Sequence, residues 1–150
     1  MSENRFRQVA EDYYVAPQLE AADFATARAL GVRTVINNRP DGEAADQLSD
    51  AEARELAAEA GLAYAFVPIV SGGIGPGAMS ELVEVLDSNP GPFLAYCRSG
   101  TRSCYLWALQ AARGHAPEEI LKAAAAAGYD LAPTRELLRQ IHEANRSQGQ

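Results

Sequence analysis

The chain has 150 residues, 47% of them hydrophobic and 22% charged, the composition of a soluble globular protein with one substantial core. Thirteen Lys and Arg against twenty Asp and Glu leave a net charge of -7, which argues against nonspecific binding to nucleic acid or to an anionic membrane surface. No apolar run approaches the ~18 residues of a membrane helix, and the stretch Met1 to Arg7 lacks the apolar core of a signal peptide, so a cytoplasmic location is expected.

Short strand signals alternate with helical ones along the chain. Tyr13-Tyr14-Val15-Ala16 reads as a strand, and Leu19 to Leu30 as a helix ended by Gly31. Val32 to Asn37 is β-branched and strand-like. Ser49 and Glu52 make a capping box that opens an alanine-rich helix running to Gly61. Leu62 to Pro68 is a third strand, Ser71 to Gly77 a glycine-rich loop, and Met79 to Leu86 a helix. The apolar run Pro92-Phe93-Leu94-Ala95 is a buried strand, followed from about Thr101 by a helix ending near Gly114. Two more helices follow, about Pro117 to Ala127 and Pro133 to Ala144. This alternation implies a single α/β domain over residues 1–150 with a mainly parallel sheet, whose site forms beyond the carboxyl ends of the strands.

The segment Tyr96-Cys97-Arg98-Ser99-Gly100-Thr101-Arg102-Ser103 carries the chemistry. It places a cysteine at the end of a strand, on a short loop that opens onto a helix N-terminus. There the free N–H groups and the helix dipole favour negative charge and hence a thiolate. Arg102 closes the loop with a fork of donors suited to an oxyanion. A structural, buried Cys97 is the bland alternative, but a packing cysteine needs neither the glycine nor the two arginines that follow. Cys104 shares a helical face with Trp107, Ala108 and Ala111, so its reading is packing, and two cysteines make no disulfide framework. His115 and His142 lack metal-ligand spacing. No metal or other cofactor is expected.

Three segments together give a family resemblance: Val35 to Glu43, Phe66 to Gly73, and Ala95 to Ser103. They resemble, in consistent order over about residues 5–115, the beta-lactamase-hydrolase-like phosphatase-like branch of the protein-tyrosine-phosphatase-like superfamily. The resemblance implies a dual-specificity-phosphatase-like fold, with the cysteine strand central in a small, mainly parallel, four-stranded sheet flanked by helices. It implies Cys97 as nucleophile and Arg102 as anion clamp. It further implies a cradle of amides over Arg98, Ser99, Gly100, Thr101 and Arg102, with the Ser103 hydroxyl near the thiolate. Arg39, at a strand end, either orients substrate or pairs with Asp41.

Three departures from true tyrosine phosphatases shape the functional expectation. The loop is Cys-x4-Arg rather than Cys-x5-Arg, a length like that of rhodanese sulfurtransferases. No acid occurs from Val67 to Ser80, where the superfamily keeps its proton donor, so Asp41 or Glu43 must serve if the Arg39-to-Glu43 loop folds over the pocket. Pro40-Asp41-Gly42 is equally a plain turn. Tyr96 stands where phosphatases place histidine. A sulfane sulfur carried on Cys97 leaves sulfite or a thiolate behind and needs no strong acid. The sequence therefore favours a sulfurtransferase, with a cysteine-dependent phosphatase as the alternative and a non-catalytic anion-binding module third. The implied partners are a small anion, namely thiosulfate, a persulfide or a phosphate ester, and a metallo-beta-lactamase-like persulfide dioxygenase.

Overall fold

β-Branched and aromatic residues set the sheet. In the computed structural model, which describes residues 5–70, 74 and 76–148, five strands form: β1 (Arg7–Ala10), β2 (Tyr13–Ala16), β3 (Thr34–Asn37), β4 (Ala63–Phe66) and β5 (Phe93–Tyr96). Their order is β1-β2-β5-β3-β4. The pairs β2·β5, β5·β3 and β3·β4 are parallel, and β1 is added antiparallel to β2. The cysteine strand β5 is central, as the resemblance implies. The sheet has five strands rather than four. The extra one, Arg7-Gln8-Val9-Ala10, has two exposed polar residues and only Val9 fully buried, too weak an alternation to read as a strand.

Every residue of β3 and β5 is buried, as expected of parallel strands covered on both faces. Successive β5 side chains enter opposite cores. Phe93 and Ala95 pack with Trp107, Leu106 and Leu82 on one side. Leu94 and Tyr96 pack with Phe24, Ala27 and Ala57 on the other. The helices α1 (Ala21–Leu30) and α2 (Asp50–Glu59) cover the second face. The first is covered by α3 (Pro76–Ser88), α4 (Thr101–Ala111), α5 (Pro117–Ala126) and α6 (Arg135–Gln148). The Ser49/Glu52 capping box opens α2 as read. Gly31 ends α1 with φ 108°, a left-handed conformation that suits glycine.

Register brings the strand ends level. Tyr96 lies opposite Ala16 on one side and Asn37 on the other, and Asn37 lies opposite Phe66. The segments that follow, Pro17-Gln18, Cys97 to Gly100, Asn38-Arg39 and Val67 to Ile69, therefore share one edge. Of the glycine-rich loop, residues 71–73 and 75 lie outside the described residues.

Candidate active site

β5 delivers Cys97 to that edge, and α4 begins four residues later. The thiol is fully buried. The Gly100 N–H donates to Sγ at 3.1 Å, while the Cys97 N–H is held by the Ala16 carbonyl at 3.3 Å. The turn depends on Gly100, whose φ is 95° and which serves as N-cap of α4 without a side chain. Ser99 Oγ accepts from the Thr101 N–H at 3.3 Å, and Tyr129 donates to the Ser99 carbonyl at 3.2 Å. The Arg98 carbonyl accepts from Gln18 N–H at 3.2 Å. The loop thus wraps the sulfur with an amide at the start of a helix, where negative charge is favoured.

Arg102 projects from the first turn of α4 and is taken by a carboxylate. Its Nη1 and Nη2 donate to Glu43 Oε2 and Oε1, both at 2.8 Å, and Nη1 also donates to the Ile69 carbonyl at 2.7 Å. Arg39, only 4% exposed, donates from Nε to Glu43 Oε1 at 3.0 Å and from Nη1 to Gln18 Oε1 at 2.9 Å. The Arg102 hydrogen bonds, assisted by Arg39, hold the Glu43 carboxyl down at about 2 despite the opposing effect of burial. Arg102 is pushed up in turn, first by Glu43 and also by Cys97. Glu43 is therefore a carboxylate at neutral pH, bridging two arginines beside the cysteine loop.

Asp41 lies elsewhere in the arrangement. It is exposed, and its Oδ1 accepts the Asp50 N–H at 2.7 Å at the start of α2. Asp50 Oδ1 in turn accepts from Tyr64 Oη at 2.7 Å, and Tyr64 Oη accepts from Asn37 Nδ2 at 3.0 Å. This network pins the Arg39-to-Glu43 loop between β3 and α2. Arg39 pairs with Glu43 rather than Asp41. Ser103 is fully buried, and its hydroxyl makes no hydrogen bond among the described residues. Arg98 and Ser99 are exposed at the loop's rim. Cys104 is buried among Trp107, Ala108 and Ala111, and burial pushes its thiol up to about 12. Both cysteines are free.

The site thus consists of a fully buried thiol at the carboxyl end of a central strand and an arginine from the first turn of the next helix. The phosphatase-like domain of beta-lactamase hydrolase-like proteins matches residues 5–114. The chain belongs to this family. A beta-lactamase hydrolase-like protein of Agrobacterium fabrum is 32% identical over 136 residues, covering 89% of this chain but 32% of its own length. The chain thus spans about a third of that relative. The crystal structure of a candidate phosphatase from Neisseria meningitidis superposes with a TM-score of 0.80 at 33% identity, covering 90% of this chain and 96% of the other. The catalytic core of the yeast (S. cerevisiae) PP-IP phosphatase Siw14, solved with citrate, has a TM-score of 0.61 at 16% identity, covering 93% and 83%. The fold is that of protein-tyrosine-phosphatase-like enzymes.

Within this phosphatase-like family frame, Glu43 is the residue the sequence left half-read. Its signal was an acid four residues after a strand-end arginine, but nothing local tied it to Arg102, 59 residues away. Beside the loop a cleft of about 530 Å³ is lined by Gln18, Leu19, Arg39, Gln47, Leu48 and Arg98. A second cleft, of about 570 Å³ and lined by Tyr13, Phe93, Trp107 and His115, opens at the opposite ends of the strands. Among the described residues no group of three or more His, Cys, Asp or Glu is placed to hold a metal. No helix among them is long and apolar enough to cross a membrane.

Proposed function

We propose that this chain is a cysteine-dependent phosphatase acting on small anionic phosphate esters through Cys97. The observation that carries the reading is the Cys97 sulfur lying 3.1 Å from the Gly100 N–H, at the mouth of α4 and beside the Arg102 fork. The family's phosphatase-like domain and the phosphatase fold support it. The order of the two enzymatic readings is thereby the reverse of the one the sequence favoured.

In the reaction, the Cys97 thiolate attacks phosphorus, an S–P bond forms, and the P–O bond to the leaving group breaks. Water then attacks the thiophosphoryl intermediate, releasing inorganic phosphate and restoring the thiolate. Arg102 and the loop amides bind the phosphoryl oxygens, which requires the arginine to share or release Glu43. Because Cys97 is fully buried, substrate must also displace the groups that cover it. Glu43, held ionised by Arg102, has no proton to give, and Asp41 is engaged at α2. The reading therefore takes as substrates esters whose leaving group departs unaided, such as aryl phosphates.

One observation favours a second reading, sulfane-sulfur transfer. The loop is Cys-x4-Arg, Asp41 is engaged at α2 and Glu43 is held ionised by Arg102, none of which costs sulfur transfer anything. Cys97 would attack the outer sulfur of thiosulfate or a small persulfide, release sulfite or a thiolate, and pass the sulfur to an acceptor thiol. A metallo-beta-lactamase-like persulfide dioxygenase is the partner that chemistry suggests.

Turnover of p-nitrophenyl phosphate, together with intact-mass analysis after thiosulfate, separates the two. Ester hydrolysis abolished in Cys97→Ser, with no added sulfur, is the expected result. A single added sulfur on Cys97 without ester turnover would overturn it in favour of transfer.

A further inference from the structure

We infer that Tyr129 is a positioning residue for the nucleophile: its hydroxyl and the Ser99–Gly100 peptide form a two-step hydrogen-bond relay that ends on the Cys97 sulfur. Tyr129 Oη donates to the Ser99 carbonyl at 3.2 Å. The N–H on the other side of that same peptide group, Gly100 N–H, donates to Cys97 Sγ at 3.1 Å. Donation into the carbonyl polarises the amide and strengthens the N–H as a donor. A stronger N–H to sulfur favours the thiolate over the thiol. The relay rests on Cys97 being the nucleophile.

The contact is built from both sides. Tyr129 follows α5, its backbone N–H bonded to the Ala124 carbonyl at 2.9 Å after Gly128 turns the chain with φ 98°. Its hydroxyl lies over Gly100, where an added Cβ would come within 2.1 Å of it. Only glycine leaves room for the hydroxyl there. Burial pushes the Tyr129 hydroxyl up from its ordinary value, so at neutral pH it keeps the proton it donates. Tyr129 also lies beyond the residues that match the family, 5–114.

Several charged or titratable groups lie around the sulfur. Arg102 and Cys104 reach it from α4, and Tyr129 from the segment after α5. Arg98 follows it on the loop, Glu43 acts through Arg102, and Arg7 of β1 lies beyond Tyr129. The relay is separable from all of these because Tyr129→Phe removes one oxygen and keeps the ring.

The test is the rate of Cys97 alkylation by iodoacetamide across a pH series, assigned by peptide mass, in the wild type and Tyr129→Phe. Whatever limiting rate its burial allows, wild-type Cys97 should reach half of that rate at a lower pH than a free thiol such as N-acetylcysteine. In Tyr129→Phe the profile should move to higher pH and the neutral rate should fall by about 1.5- to 2-fold, since one bond strengthens the next by only about 10–30%. The Gly100 amide proton resonance should move upfield while resonances of the distant core stay in place. A site-specific 3-fluorotyrosine at position 129, a stronger donor of the same shape, should shift the profile the other way. It gives the same answer if the phenylalanine variant folds poorly. A wild-type profile like that of the free thiol would sink the nucleophile reading itself. A reactive wild type with unchanged profiles in the Tyr129 variants would sink the relay alone.

Discussion

Glu43 grips Arg102 with both carboxylate oxygens, each 2.8 Å from a guanidinium nitrogen. This paired, charge-assisted geometry is stronger and more directional than a single contact. It places the arginine's fork beside the cysteine loop before any substrate arrives. In the proposed reaction the same carboxylate would compete with the substrate anion for the fork. Both effects come from one residue, and its substitution separates them.

Glu43→Gln keeps the shape and removes the charge. Arg102 then loses orientation but gains freedom to meet an anion. We expect kcat on p-nitrophenyl phosphate to fall about tenfold with KM unchanged or lower, since interactions that hold transition-state groups act on kcat. If kcat holds, Glu43 does not set the arginine.

The pair also makes stability depend on pH. The Glu43 carboxyl is lowered in the folded state from 4.5 to about 2, so it stabilises the fold when ionised. That contribution is complete above the unfolded value and is lost as pH falls from 4.5 toward 2. Its size is roughly 1 kcal/mol, because a partly exposed pair is screened by solvent. Urea unfolding of wild type and Glu43→Gln across this window should converge toward low pH. Parallel curves would show that ionisation of Glu43 adds nothing to the stability of the fold in this window.

Asp41 offers a clean contrast. Its carboxylate accepts the Asp50 N–H, a helix-start contact worth about 0.5–1 kcal/mol. Asp41→Asn should therefore lower stability by that amount and leave kcat within about twofold. A fall of about 10²-fold or more would mark Asp41 as the proton donor after all.

What the sequence revealed follows from where the information is local. The strand, cysteine, glycine and helix from Phe93 to Ala111 lie consecutively, so their order alone placed the thiol at a strand end. Ser49 and Glu52 sit three apart, and their capping box formed as read. The Glu43–Arg102 pair joins residues 59 apart, and no periodicity encodes it. Tyr129 reaches Ser99 from 30 residues away, on a segment that reads only as the end of an alanine-rich helix. β1 escaped notice because an antiparallel edge strand buries little of its surface.

Ser103 ends the cysteine loop with a buried hydroxyl that has no hydrogen-bond partner among the described residues. The resemblance places this hydroxyl near the thiolate. An unpartnered buried hydroxyl is costly, about 1–3 kcal/mol. Ser103→Ala should be neutral or stabilising by thermal melting and should keep activity. Loss of activity in a folded Ser103→Ala would show that the hydroxyl turns toward the sulfur during the reaction.

Gly100→Ala should damage both the loop and the chemistry. At φ 95° an alanine is strained, by about 1–2 kcal/mol. Its Cβ would meet Tyr129 Oη at 2.1 Å and Cζ at 3.0 Å, and the Ala16 carbonyl carbon at 3.3 Å. The tyrosine can swing away, but the β2 backbone cannot. We expect a loss of about 2–4 kcal/mol in urea unfolding and a fall in kcat/KM of at least about tenfold. Removing the hydroxyl with Tyr129→Phe in the same chain relieves only the nearest contact, so stability should recover in part while activity does not. The two substitutions share a contact and should be non-additive. A Gly100→Ala protein as stable and as active as the wild type would mean the left-handed turn is not needed to hold Cys97.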